Sequence, residues 1–180
     1  MKTFTVPALE QVDGASQTIL TGVQKKLGKI PNLYATIGYS APALKAMLDF
    51  EATLGGSNLF TAKEREAINL VVSQVNLCDY CLAAHTALAQ MRGFSIAETI
   101  AIRKGDIADS RLNTIIRLAQ SIAENKGKGE QSRIEAFFEA GFTEAAFIEL
   151  IGLITARTFT NYVFASTGIP VDFPAAPALQ

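Results

Sequence analysis

Both cysteines and the only histidine of this 180-residue chain fall within eight positions, in the run Cys78-Asp79-Tyr80-Cys81-Leu82-Ala83-Ala84-His85. Thiols three residues apart, with an imidazole four beyond the second, share one stripe of a helix, so each neighbouring pair is close enough to interact. A bridge across two intervening residues constrains very little chain. A C-x-x-C pair without a secretory signal therefore points to catalysis or metal binding rather than to a structural staple. With Asn76 as N-cap, Leu77, Cys78 and Asp79 occupy a first helical turn, where free amide N–H groups and the helix dipole favour a thiolate. The charge of Asp79 works against that effect.

A fourth residue joins the cluster. Glu66 lies on the preceding helix, and an antiparallel pair returns its carboxylate toward His85, giving the pattern Glu66-x11-Cys78-x2-Cys81-x3-His85. Neither Glu66 nor His85 carries weight alone; their spacing to the thiols is what gives each a role.

The elements that must position these groups are helical throughout, with recurrent caps and no alternating strand pattern. The expected class is all-α, with about seven to eight helices and a buried helix pair carrying the C-x-x-C motif. Residues 14–27 form a first helix, ended by Gly28, with Pro31 stopping any continuation. Ser40 caps a second helix to about Leu54. Thr61-Ala62-Lys63-Glu64 has the capping-box pattern and opens a largely buried helix to about Val75. The redox helix follows from about Leu77 to Arg92, with Gly93 as its C′ residue. Ser95-Ile96-Ala97-Glu98 is a second capping box, for a short helix to Lys104. Further helices are expected from Asp109 or Ser110 to Glu124, over 131–140, and from Thr143 onward. The last is apolar on almost every face, which predicts burial on all sides. Its polar residues Arg157 and Asn161 are expected at an interface or in the core rather than in catalysis. The three prolines of the tail from Pro170 predict extended chain, free to wrap a neighbour.

Composition narrows the function. With 16 Lys and Arg against 17 Asp and Glu, and no basic block, nothing suggests a nucleic-acid partner. The N-terminus has no apolar signal core, and Glu149, Arg157 and Asn161 interrupt the best membrane candidate, Phe147 to Phe164. A single domain over 1–180, with its redox core at about 61–104 and a cytoplasmic location, is the expectation.

The spacing of Glu66, Cys78, Cys81 and His85 resembles that of the redox members of the alkylhydroperoxidase D-like family, also called the carboxymuconolactone decarboxylase family. Val72-Ser73-Gln74-Val75-Asn76, Gly28-Lys29-Ile30-Pro31-Asn32-Leu33-Tyr34, Thr160-Asn161-Tyr162-Val163 and Val171-Asp172-Phe173-Pro174 are similar to the family as well. The resemblance implies that Cys81 is the peroxidatic nucleophile and Cys78 the resolving thiol. Capping alone favours Cys78 as the thiolate, whereas His85, one turn beyond Cys81, favours Cys81, and the family assignment agrees with the second.

In the chemistry so implied, Glu66 orients His85, His85 removes the Cys81 proton, and the thiolate attacks a hydroperoxide. The partners implied are a hydroperoxide substrate, a lipoyl-type or peroxiredoxin-linked dithiol reductant, and further copies of the chain in a homotrimer or homohexamer. No cofactor or metal is expected. Tyr80 stands where some members carry a second histidine; it is expected as a wall or cap of the pocket, because a phenol is no base near neutral pH. Three other readings stay open. One is a cofactor-independent lactone decarboxylase that does not need the thiols. Another is a non-enzymatic redox sensor, and the last a zinc site on Cys78, Cys81, His85 and Glu66, which lacks the chain reversal that wraps a tetrahedral ion.

Overall fold

The computed structural model describes residues 3–179, which form nine α-helices and one short 3-10 turn at Leu9–Gln11. The helices are α1 (Gly14–Leu27), α2 (Asn32–Ile37), α3 (Ala41–Gly55), α4 (Ala62–Val75), α5 (Asp79–Met91), α6 (Ile96–Arg103), α7 (Ser110–Glu124), α8 (Gln131–Glu139) and α9 (Glu144–Thr167). The fold is all-α, as the caps predict.

Capping chemistry sets most of the boundaries. Thr61 Oγ1 accepts the Glu64 N–H at 3.1 Å while the Glu64 carboxylate accepts the Thr61 N–H at 2.7 Å, and Ser95 and Glu98 repeat the exchange at α6. Asp13, Ser40, Asp109 and Thr143 each accept one N–H of the helix they open. Helix α2 is the element the sequence reading lacks. Pro31 ends nothing there; it occupies the N-cap of α2, where its missing N–H costs no hydrogen bond.

Helix α4 is the axis of the molecule. Ala67, Ile68, Leu70, Val71 and Val72 are fully buried, and α5, α6, α7 and α9 pack around them. With α7, α8 and α9 this helix builds the larger core, which includes Phe60, Phe137 and Phe142. A second core joins α1, α2 and α3 through Leu20, Leu33, Ile37, Leu44 and Met47, and the first turn of α5 inserts Cys78, Tyr80 and Cys81 into it. The thiols thus belong to the smaller core.

Two expectations about the C-terminal third are corrected. Helix α9 is not buried on all sides: Ile148 is 67% and Tyr162 61% exposed, with Phe159 also open, while the opposite face holds Leu150, Leu153, Ile154, Arg157, Thr160 and Asn161 inside. An apolar residue on every face does not by itself bring a partner to every face. The extended tail wraps its own chain, where Lys29 pairs with Asp172 at 3.0 Å and lies over the Phe173 ring. Further along, Arg103 donates to the Pro177 carbonyl. No helix of the described residues is long and apolar enough to cross a membrane.

Candidate active site

The junction between α4 and α5 is three residues long, and its geometry places the first thiol. Leu77 adopts a left-handed conformation, φ 51°, with its N–H bonded to Gln74 O, while the Cys78 N–H bonds to Ser73 O at 2.9 Å. These two bonds close α4 as a Schellman turn with a leucine where glycine is usual, at a cost of about 1 kcal/mol. Cys78 then opens the next helix, since its Sγ accepts the Cys81 N–H at 3.3 Å and is the N-cap of α5. Asn76 is therefore not that cap. It is the C-cap of α4, and α5 begins at Asp79 rather than Leu77.

The cap holds the two free sulfurs together. Cys78 Sγ and Cys81 Sγ lie 2.7 Å apart, both buried, so they can join with little movement of the chain. The contact separates their acidities. The Cys78 thiol donates to Cys81 and holds it down to about 6; burial opposes this, and the Arg157 guanidinium, a protonated His85 and the Asn161 amide reinforce it. The same contact, together with burial and the Cys81 charge, pushes Cys78 well above the thiol range, although the Cys81 N–H and Asn161 pull the other way. The surroundings favour Cys81 as the thiolate of the pair, and the chief cause is the neighbouring thiol rather than the histidine.

Glu66 and His85 meet as their spacing requires. Glu66 Oε2 lies 2.7 Å from His85 Nδ1, with both side chains largely buried. Burial resists ionisation of Glu66, yet the His85 and Arg157 charges and hydrogen bonds from His85 and Asn69 hold its carboxyl below the usual range. An ionised Glu66 requires Nδ1–H as donor, which leaves Nε2 as the basic nitrogen. Among the described residues no hydrogen bond joins His85 to Cys81.

A cavity of about 230 Å³ opens onto this pair, walled by Tyr34, Glu51, Glu66, Asn69, His85 and Arg157, with Leu54, Leu88 and Leu153 as its apolar sides. Neither sulfur lines it. Arg157, buried on α9, donates to Asn69 Oδ1 at 3.1 Å, to Glu51 Oε1 at 3.0 Å and to Thr160 Oγ1 at 3.1 Å. Tyr34 donates to the other oxygen of Glu51 at 3.3 Å, and burial, then Glu51, push its phenol above its ordinary value. Asn161 donates to Ser73 Oγ and accepts from Asn76, which ties α9 to the end of α4 beside the thiols.

Arg157 and Asn161 are core polar residues, as expected, but they border the reactive groups. Two polar side chains inside an otherwise apolar helix were the signal for them, because a buried charge must have partners. Tyr34, Glu51 and Asn69 carried no such signal. Tyr80 is corrected: it does not line the cavity, but donates to Asp172 and accepts the Leu33 N–H at 3.2 Å, packing between Phe164 and Phe173. Burial and that carboxylate push its phenol well above its ordinary value. It ties the redox turn to α2 and the tail. Among the described residues no three His, Cys, Asp or Glu side chains converge as metal ligands, and Glu66 is already engaged by the imidazole.

The arrangement has known relatives. The sequence model of the carboxymuconolactone decarboxylase family matches residues 41–124. No curated protein matches the sequence. Among solved structures, a peroxidase-related protein from Silicibacter sp. TM1040 is 23% identical with a TM-score of 0.77, covering 97% of this chain and 94% of its own. A peroxidase-related protein from Ralstonia eutropha JMP134 with an alkylhydroperoxidase D core is 21% identical with a TM-score of 0.81, covering 94% and 91%. The debrominase Bmp8 in complex with 2,3,4-tribromopyrrole is 16% identical with a TM-score of 0.80, covering 96% and 93%. The stretch 41–124, which holds Glu66 and the whole thiol motif, thus matches the carboxymuconolactone decarboxylase family, within a chain that has the alkylhydroperoxidase D-like fold.

Proposed function

We propose that the protein is a thiol-dependent peroxidase that reduces organic hydroperoxides through Cys81 and Cys78. The observation that carries this reading is the buried pair of free sulfurs 2.7 Å apart, one favoured as thiolate and the other as thiol, beside a Glu66–His85 pair. The Cys81 thiolate attacks one peroxide oxygen and the O–O bond breaks. The departing alkoxide takes a proton delivered from His85 Nε2 through solvent, giving an alcohol and a sulfenic acid on Cys81. The Cys78 thiol then displaces water from the sulfenic acid to form the disulfide, and an external dithiol restores both thiols by exchange.

The open apolar face of α9, with Ile148, Phe159 and Tyr162, supports assembly into a homotrimer or homohexamer. A monomer by light scattering at micromolar concentration contradicts the assembly.

A second reading comes from the debrominase neighbour. A dithiol that becomes a disulfide delivers two electrons, and with a bromoarene the products are the arene, bromide and a proton. The two readings separate in one assay. Reduced protein is mixed with tert-butyl hydroperoxide or with a brominated pyrrole, and alcohol, bromide and disulfide are measured. One disulfide per alcohol, with no bromide, is the expected result; bromide release without alcohol formation overturns the peroxidase reading.

A further inference from the structure

A second cavity adjoins the site without belonging to it. Ala43, Ala46, Met47 and Phe50 recur along α3 at the spacing of one helical face, and with Ala156 and Phe159 of α9 they line an apolar groove of about 370 Å³, within the usual range for small-molecule sites. Thr155 is the one polar side chain on its wall. The Thr155 hydroxyl already donates to the Ile151 carbonyl at 2.8 Å, so it leaves the groove without a free donor. Phe50 and Phe159 are 40% and 39% exposed, and the Phe50 ring reaches across to lie beside Gly152 of α9.

The groove adjoins both the charged cavity and the thiol core. Ala156 is common to its wall and to the cavity that holds His85, Glu66 and Arg157. There the chemistry of both helices changes within one residue: Phe50 is followed by Glu51 and Ala156 by Arg157, and those two charges pair at 3.0 Å. Met47 lines the groove and is buried in the same core as Cys78 and Cys81. Neither sulfur reaches the surface, with Cys81 1% and Cys78 0% exposed, so any reactant must displace a residue of that core. Met47 is the buried residue that core and groove share, and an unbranched, flexible side chain is well able to yield.

We infer that the groove between α3 and α9 binds the hydrocarbon chain of an unbranched alkyl hydroperoxide, whose polar end turns toward His85 and the thiols. The inference rests on the peroxidase reading for the hydroperoxide group, but not for the chain. Ala43 and Phe50 stand seven residues apart, a rise of about 10 Å along α3, which an extended octyl chain spans. Each methylene moved from water onto such a wall favours binding by about fourfold. The wall turns from apolar to charged at Ala156, and an occupant apolar along its length and polar at one end matches that change. A second copy of this chain, seated on the Phe50 and Phe159 rings, is the competing occupant.

The test has a redox-inert arm and a turnover arm, each run on the reduced full chain and on Ala46→Phe and Thr155→Asp. Both positions are exposed, and the substitutions fill the groove or charge it. Folding is checked by circular dichroism. Binding of n-octanol is measured by isothermal titration calorimetry, and each variant is expected to weaken it by about tenfold. In turnover, kcat/KM for n-octyl hydroperoxide is expected to exceed that for tert-butyl hydroperoxide by about tenfold in the wild type, and the ratio to fall toward one in the variants. Octanol that does not bind the wild type, or binds the folded variants as tightly, overturns the inference. Octanol binding that holds while light scattering shows a variant falling out of a larger assembly gives the groove to a second copy and overturns it too. If one variant does not fold, the other decides; if neither folds, equal kcat/KM for the two hydroperoxides in the wild type overturns it. A protein that binds octanol in the groove but consumes no hydroperoxide would sustain the site while the peroxidase reading fails. One that consumes both hydroperoxides equally and binds no octanol would do the reverse.

Discussion

The two halves of the site are built in opposite ways. The thiol half is local: Leu77 turns the chain, Cys78 caps α5, and Cys81 lies one turn on, all within a few residues. The charged half is assembled from Tyr34, Glu51, Glu66, Asn69 and Arg157 on four helices, and only their packing brings them to one cavity. Reactive groups can be written into a short motif because helix geometry fixes their spacing. The field that sets their protonation cannot, because it comes from whatever the fold packs around them.

The largest effect is expected where the halves meet. His85→Ala removes the base that joins the local thiols to the distant carboxylate, and peroxide turnover should fall by about 1000-fold in a steady-state assay. Glu66→Gln keeps the imidazole but loses its charged anchor, and a drop of about 100-fold is expected. If Glu66→Gln were as active as wild type, the charged half would be mere scaffolding.

The pH profile tests the same boundary. A thiol held down to about 6 is largely ionised at neutral pH, so Cys81 reactivity should be near its plateau there and fall as pH drops through about 6. A midpoint near 8.5, the ordinary thiol value, would mean that the surroundings do nothing for the sulfur.

Two smaller effects should leave the chemistry alone. Tyr80→Phe removes the bond to Asp172 and strands the Leu33 N–H, which should cost about 1–2 kcal/mol and lower Tm by about 3–6 °C with thiol reactivity unchanged. Leu77→Gly relieves the left-handed leucine and should add about 1 kcal/mol, seen as a rise in Tm of about 2–4 °C. A large loss of reactivity in Tyr80→Phe would return that residue to the site.

What could be read from the sequence follows the same division. Seven helices open on side-chain caps, and Thr61 and Ser95 announce theirs by type and spacing, so those two boundaries were legible. The meeting of Glu66 with His85 was legible too, because one tight junction separates the two helices that carry them. Asn76 misled because an asparagine after an apolar helix serves equally as the C-cap of the last helix or the N-cap of the next, and only the backbone of Leu77 decides. Helix α2 was hidden because a proline that stops one helix can stand at the head of another. Glu51 and Tyr34 were invisible, since a carboxylate and a phenol on exposed-looking helices gain meaning only when Arg157 arrives from α9.

The most direct test follows one turnover of Cys81 and Cys78 apart. Reduced Cys78→Ser, mixed with a slight excess of tert-butyl hydroperoxide, should consume one equivalent and stop, with a sulfenic acid on Cys81 that a dimedone adduct traps by mass spectrometry. Cys81→Ser should consume none. If Cys81→Ser consumed the equivalent and Cys78→Ser did not, Cys78 would be the nucleophile and the ordering of the two thiols would be wrong.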